Sequence, residues 1–524
     1  MCGILYSEGS SDSAFERTLS LMTHRGPDAH GFLNLNGASV GHRRLSILDL
    51  GEQSNQPFVS QDGNLVLSYN GEIYNFRELA AKYSLECRTH CDTEVLLLLY
   101  QKLGVQCLDE LNGMFAFVVV DRSDGSVFAA RDRLGIKPLY IDHRGGRLAI
   151  ASEIAPLLEL NGSFDWDEEG LRQYVKLRTC FGSKTIYRGI EQLPAGTYLK
   201  GGRIVRYWSL PEGEQEPPND EELRYLIEDS VKLRMVSDVP VGSYLSGGLD
   251  STIIAGLSGV KEVWSVGFAE KNEFEYAQMA ADSFGVNHTP CVVDAEAFQA
   301  TAQQMVQKRR EPLSVPNEVL IYLMTQQVKQ KNTVVLSGEG ADELFFGYDR
   351  IFKWAAGADK FDLKKFDQLY SYGSHSDDEI MDSVLQPHLE VAKSTEDAVA
   401  RFFQLDHLQG LLRRLDNATM LASVEARVPF VDHRLVERFA GVSSSYRMAD
   451  GVVKSPLKRL FAELVPAPII QRKKVGFPVP LETIPFFNPR ESGTVMDQWL
   501  KFNLRTLTGC DGLYQHIIKS PPNL

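Results

Sequence analysis

The strongest constraint on the fold is an abrupt change of patterning at "SLPEGEQEPPNDEELRYL". From Ser209 to about Asp220, prolines, acids and polar residues break up the apolar pattern, as a linker between folded units does. Ahead of it the text is strand-rich: "NLVLSYNG", "GMFAFVVVDRSDGSVFAARD" and "RLAIAS". Ser-Asp-Gly between two apolar arms signals a hairpin, and one helix, "DTEVLLLLYQKLG", lies between strands. Antiparallel sheets with flanking helices, an α+β arrangement, fit this half. Past the linker, Asp220 is predicted to cap a helix with Leu223, Leu226, Ile227 and Val231 at helical spacing. The short strands "VPVGSYLS", "EVWSVGF" and "NTVVLSGEG" then alternate with helices, the pattern of a parallel α/β sheet, and from about Phe361 the chain reads as mainly helical.

Composition narrows the function classes. Length alone suggests about three domains as a soft prior, with two large ones allowed. Lys+Arg total 55 against 69 Asp+Glu, a net charge of -14 that argues against nucleic acid as a partner. No stretch approaches the ~20 apolar residues of a membrane span, and a secretory leader pattern is missing. The seven cysteines (2, 87, 91, 107, 180, 291, 510) are scattered without CxxC pairs, which reads as reduced thiols of a cytoplasmic protein. The histidines show no HExxH or HxH spacing, so a transition-metal site is not expected.

"VGSYLSGGLDSTIIAGL" carries the clearest chemistry. A strand is read as ending at Leu245, the loop runs from Ser246 to Ser251, and a helix begins near Thr252. Gly247 and Gly248 let the backbone approach a ligand, and loop amides with a helix N-terminus favour an anion. A bare SGG would more often be a tight strand–helix turn. The full hexad is more specific, and it lacks the GK[ST] ending that would point to γ-phosphate transfer. SGGLDS resembles the PP-loop of ATP pyrophosphatases, which implies cleavage between the α- and β-phosphates and an AMP-activated carboxylate. Asp250 offers a hard oxygen suited to Mg²⁺. A second strand end, "TVVLSGEGADELFFGY", is expected to face this loop, with Asp342 as a second Mg²⁺ ligand and Glu339 as a proton acceptor. Alone, that segment would read as a solvated helix start.

The chain begins "MCGILYSEGS". A cysteine here is ordinarily core filler. Removal of Met1 would give Cys2 both a thiol and an α-amine, which titrates near ~7.7–8.0 and can take the thiol's proton without a histidine. Four later stretches bear on it: "THRGPDAHG", which alone reads as a surface loop; "GHRRLSILDL"; "LSYNGEIYNFREL", whose Asn-Gly is a turn signal; and "THCDTEVLLLLY".

Taken together, these motifs resemble the glutamine-dependent asparagine synthetases over most of the chain. The resemblance implies an Ntn-type glutaminase of αββα layers at 2–208, a linker at 209–221, and a PP-loop synthetase with a mainly helical C-terminal part at 222–524. Cys2 would then attack the glutamine amide, with the Asn70 side chain and the Gly71 N–H as oxyanion donors. Arg44 would grip the substrate carboxylate beside Leu45, Ser46, Ile47 and Leu48, and Glu72 and Asp92 would hold its ammonium. Ser246, Gly247, Gly248, Asp250 and Ser251 would hold pyrophosphate and Mg²⁺. Tyr244, Val266, Ser337 and Gly338 would line the AMP site. Lys454 would stabilise charge on the phosphates with Lys458 one turn on, and Glu339 would deprotonate the attacking nitrogen. "RDRLGIKPLY" and "VEARVPFVDHRLVE" are assigned to packing.

The implied small molecules are ATP, Mg²⁺, glutamine and a carboxylate acceptor, with an internal ammonia tunnel between sites. Dimers occur in the family, so a homodimer is among the implied partners. His90-Cys91, "FFGY" and "REPLSVPNEVLIYLM" depart from the family pattern, the last near the acceptor. Aspartate is the first reading for that acceptor, and another carboxylate, such as a sugar acid or a natural-product precursor, is the second. A degenerate regulatory homologue is opposed by Cys2, Asp250, Asp342, Glu339 and Lys454. A β-lactam-forming relative is opposed by Cys2 and by Glu339.

Overall fold

The computed structural model describes residues 2–473 and 479–519; Met1 and its removal lie outside them. The first half holds two six-stranded sheets. One runs Ile190–Gln192, Tyr140–Asp142, Ala149–Ala151, Gly3–Glu8, Ala38–Arg44, Ala29–Asn34; the other runs Arg203–Arg206, Thr197–Lys200, Val127–Arg131, Gly113–Asp121, Leu65–Ile73, Phe58–Val59. Every neighbouring pair in both sheets is antiparallel.

Alternation along the strands explains the layering. Ile4 and Tyr6 point into a cluster with Val66, Ala116 and Val118 of the other sheet, so the sheets pack face to face. Leu5 points the other way, onto Phe15 and Leu19 of the helix Asp12–Ser20. Tyr69, Phe115 and Phe117 pack on Val95, Leu96 and Leu99 of the helix Asp92–Leu103. The result is the αββα order expected for the first half.

The second half has a five-stranded, all-parallel sheet ordered Asn287–Val293, Glu262–Phe268, Val241–Tyr244, Val334–Leu336, Glu425–Arg427. Beyond Phe361 the described chain is mainly helical, as expected, and the last strand of the sheet is a three-residue exception within it. Glu425 to Arg427 lie in register with Val334 to Leu336 and complete the sheet. Helices around Phe352, Phe366, Phe402 and Phe403 form a separate aromatic cluster against Leu177 and Phe181 of the first half.

One local expectation is corrected. The first helix after the linker is capped by Asn219, whose side chain accepts from the Glu222 N–H, and Asp220 is its first residue. The linker itself is strapped down: Arg401 donates to the Pro211 carbonyl at 2.7 Å, Arg438 to Glu216 at 2.6 Å, and Gln215 N–H to Gly441 at 3.3 Å. Among the described residues no helix is long and apolar enough to cross a membrane. All seven cysteines are free thiols.

Candidate active site

Cys2 leads directly into the strand Gly3–Glu8 at the centre of the first sheet. Its main-chain nitrogen donates to Asn70 Oδ1 at 2.8 Å. Asn70 is fully buried, and with Oδ1 engaged its Nδ2 has no partner among the described residues. Burial pushes the Cys2 thiol up, so it is a thiol and not a thiolate until something takes its proton. The Asn-Gly turn reading is wrong. Asn70 and Gly71 lie inside the strand Leu65–Ile73, opposite Ala116 and Phe115. Glycine is there for space, since a Cβ at Gly71 would lie 2.1 Å from the Met114 carbonyl oxygen.

Around this point the expected glutamine-site residues gather. Asp92, first residue of its helix, accepts from Tyr69 OH at 2.8 Å and from the Ile73 N–H at 2.9 Å. Glu72 is buried 3.3 Å from Arg427 Nη2. Burial pushes both carboxyls up, and for Glu72 the nearby Glu425 adds to it. A pair of carboxyls held back from ionising is one that a cation would satisfy. Arg44 spends its terminal nitrogens on the loop beyond it: on the Gly51 carbonyl at 2.9 Å, Asn55 Oδ1 at 2.8 Å, Leu48 at 3.2 Å, and Asp49. Leu45, Ile47 and Leu48 are buried in that loop, and the Ser46 N–H donates to Asp28 at 2.8 Å. Cys91, where the family pattern has a small hydroxyl, sets its Sγ 3.4 Å from Asp92 Oδ1.

The second cluster sits beyond the carboxyl ends of two adjacent parallel strands, Val241–Tyr244 and Val334–Leu336. Adjacency brings their loops together: a Cβ on Gly338 would lie 3.1 Å from Asp250 Cβ and from the Ser251 nitrogen. Gly247 takes a left-handed φ of 73°, and a Cβ there would meet Tyr276 Cβ at 2.6 Å. Ser246 Oγ and Ser251 Oγ stand 3.0 Å apart, and the Gly248 N–H donates to Ser246 Oγ at 3.2 Å. The helix starts at Leu249 and not at Thr252, because Gly248 is the cap and its carbonyl already accepts from the Thr252 N–H. Asp250 thereby falls in the first turn.

Lys454 joins the two loops. Its Nζ lies 2.5 Å from Asp250 Oδ2 and 2.6 Å from Asp342 Oδ1. Burial opposes its charge, yet the two carboxylates push its pKa above the usual lysine value. The backbone of Lys454 is left-handed, φ 55°, a strained conformation for a side-chain-bearing residue. Gly347 of "FFGY" accommodates this arrangement, since a Cβ there would lie 2.5 Å from the Lys454 side chain. Lys458 is one turn on, half-exposed, with its pKa pushed down by burial and by Lys454. Tyr244, Leu245 and Val266 line an adjoining pocket with Trp264, Glu273 and Met324, an apolar slot with polar edges. Ser337, held by its N–H on the Arg427 carbonyl at 2.8 Å, leads into Glu339, whose carboxylate pairs with Arg414.

A family model described as asparagine synthase matches residues 222–500, and one described as glutamine amidotransferase domain matches residues 1–208. The chain belongs to the asparagine synthase family. It is 29% identical to the glutamine-hydrolyzing asparagine synthetase 1 of Bacillus subtilis (strain 168), over 92% of this chain and 87% of that one. To asparagine synthetase 3 of the same organism the identity is 30%, over 88% and 83%. To asparagine synthetase B of Escherichia coli (strain K12) it is 30%, over 87% and 77%. As a member of this family the chain is an ATP-dependent, glutamine-hydrolysing ligase.

The two clusters are wired together by residues of stretches that, taken alone, read as a surface loop or as packing. Arg25 of "THRGPDAHG" is fully buried. Its Nε donates to the Cys2 carbonyl at 3.0 Å, Nη1 to Glu153 at 3.1 Å, and Nη2 to Asp416 at 2.9 Å. Asp416 also faces Lys137 of "RDRLGIKPLY" at 3.4 Å. It rides on the helix Leu408–Leu421, which carries Arg414 as well. In "VEARVPF", Arg427 pairs with Glu425 at 2.5 Å and reaches Glu72 of the first half. The available signal was the run of charges in "LLRRLDNATM", which a buried helix does not carry without partners.

Proposed function

We propose that the chain makes asparagine from aspartate, using ammonia released from glutamine at Cys2 and an aspartyl-AMP formed in the second cluster. The observation that carries this reading is one helix, Leu408–Leu421, reaching both centres: Asp416 through Arg25 to the Cys2 carbonyl, and Arg414 to Glu339. Two unrelated activities would not need such a shared support.

In the first centre, with Met1 removed, the Cys2 nitrogen becomes the amine that takes the thiol proton. Sulfur attacks the glutamine amide carbon, the C–N bond breaks, and ammonia leaves with the shuttled proton. Water then cleaves the thioester to glutamate. Asn70 Nδ2, buried and without a partner, is poised to donate to the oxygen that becomes negative; such a donor is worth ~10²–10³ in rate. The substrate ammonium goes to Glu72 and Asp92. A carboxylate docking on Arg44 replaces main-chain carbonyl contacts, so it gains less than a free guanidinium would give.

In the second centre the serines and glycines of the first loop cradle the phosphates, and the slot beside Tyr244 and Val266 takes the adenosine. A carboxylate oxygen of the acceptor attacks the α-phosphorus and pyrophosphate leaves. Ammonia then attacks the acyl carbon, AMP departs with the electron pair, and Glu339 takes the excess proton. Arg414 holds the Glu339 carboxylate in place, and a weak base suffices once the nitrogen is bonded to carbon and acidic. Asp250 and Asp342 fit a Mg²⁺ ion, which takes one or two carboxylates and completes its shell with phosphate and water. Bound there, Mg²⁺ supplies charge neutralisation at the phosphates.

We extend the reading to the domain layout, a glutaminase at 2–208 and a synthetase from 222 onward, with ammonia passing inside the protein. The test is pyrophosphate release over a panel of carboxylates with ammonia as donor. Aspartate should be the best acceptor; release with a sugar acid and none with aspartate would reject it.

A further inference from the structure

The seam between the halves holds a partly open cleft lined from both sides. Arg178 comes from the first half; Arg309, Glu311, Arg413, Arg414 and Asn417 come from the second. Arg178, Arg309, Arg414 and Asn417 are each more than nine-tenths buried. Each nonetheless has a buried nitrogen without a partner among the described residues: Arg178 Nη1, Arg309 Nε, Arg414 Nε and Asn417 Nδ2. Most buried donors in folded proteins are met, and four on the walls of a single cleft point to a ligand that presents acceptors.

The acidic groups are unequally engaged. Glu318 is taken by Arg309 and by the Ser314 N–H at 3.0 Å. Glu311 has Arg309 Nη2 only at 3.7 Å, beyond hydrogen-bond reach, and burial pushes its carboxyl up. The cleft thus offers several anion-seeking donors and one under-satisfied carboxyl, the pattern that complements a zwitterion with an extra negative charge. It also adjoins the chemistry, because Arg414 pairs through its other end with Glu339.

Arg178 occupies a position where another residue would be cheaper. It ends the helix Glu168–Leu177 in a left-handed conformation, φ 67°, where glycine is ordinarily favoured. Its guanidinium lies over the rings of Tyr370 and Tyr372, 5.2 and 4.7 Å from their centroids. Arg413 clamps the next residues by donating to the Cys180 carbonyl at 2.9 Å. These contacts fix Arg178 in the cleft wall.

We propose that this cleft is the acceptor site and that the glutaminase half completes it. Arg178, with Asn417 and Arg414 Nε, holds the acceptor's non-reacting carboxylate, Glu311 holds its ammonium, and the reacting carboxylate is left toward Glu339. The ligand class is a small α-amino dicarboxylate. This rests on the reading that the second centre amidates a carboxylate, and it makes a residue of the first half a specificity determinant of the second.

The experiment uses the full chain with ammonia as nitrogen donor, so that Cys2 plays no part, and reads pyrophosphate release against aspartate concentration. Arg178→Gln should raise KM for aspartate at least tenfold, with kcat, KM for ATP and the glutaminase rate each within threefold of wild type. Arg178→Lys should recover part of the loss, which also controls for folding. Glu311→Gln should weaken inhibition by the free amino dicarboxylate more than inhibition by succinate, which has no amine. A wild type active on aspartate with an Arg178→Gln variant of unchanged KM overturns the cleft assignment alone. A wild type inert with aspartate but active on another acid overturns the aspartate reading, and the amino-dicarboxylate class with it.

Discussion

In the first half the groups proposed to react lie on or beside strands, whereas in the second half they lie on loops beyond strand ends. Asn70 and Gly71 are held by a ladder that leaves no room for a Cβ at Gly71, and Cys2 immediately precedes a strand of the facing sheet. Asp250, Glu339 and Asp342 sit where the backbone is free to turn toward a ligand. Charge follows the same division. In the first centre Glu72 and Asp92 are pushed toward neutrality by burial, so charge develops when a cation arrives. In the second, Asp250 and Asp342 already share Lys454. On the proposed roles, the contrast is one between a rigid scaffold for attack on one amide carbon and charges that can be re-paired around a polyphosphate.

The comparison is broken most severely by Cys2→Ala. Glutamine-dependent amide formation should drop below detection while ammonia-dependent formation stays within about twofold; loss of both would mean that the centres are not separable. Lys454→Met should cut pyrophosphate release by about 10²–10³-fold with either nitrogen source, as expected for removal of a charge aimed at the phosphates, and leave thioester turnover on Cys2 intact. Asn70→Ala should lower the glutaminase kcat by about 10²–10³-fold and nothing else. A matching loss of ammonia-dependent synthesis would point to a scaffold role instead.

The smallest effect is on stability, and it sharpens the comparison because both halves contribute. Burial depresses His42 in the first half and His433 in the second to about 3. An unfolded histidine binds its proton near ~6.5, so between that pH and 3 the unfolded chain holds more protons than the folded one. Stability from these groups is therefore complete above ~6.5 and is lost as pH falls, by about 1.4 kcal/mol per unit for each histidine. Denaturant midpoints between pH 7 and 5 should show this slope, and His42→Asn should reduce it; an unchanged slope would remove His42 from the account.

The loops were legible in the sequence because their chemistry is local. Ser246 to Ser251 and Ser337 to Asp342 lie within single turns, where glycine placement and one carboxylate say nearly everything. The strand Glu425–Arg427 escaped notice because three residues carry no period, and Asn70-Gly71 misled because the same dipeptide serves a turn or a crowded ladder equally well. Nothing local marks Arg25 as buried, because its partner Asp416 is 391 residues away.

By itself, the sequence determined the division into an antiparallel and a parallel half and the kind of chemistry each strand end can host. Patterning at periods of two and 3.6 and the backbone freedom of glycine act over a few residues, whatever the rest of the chain does. Only the tertiary structure decided that Arg25 and Asp416 meet, that Arg427 reaches Glu72, and that Arg178 closes a cleft with Arg414. Buried ions are tolerated only when packing delivers their counter-charges, and that delivery is a property of the assembled halves.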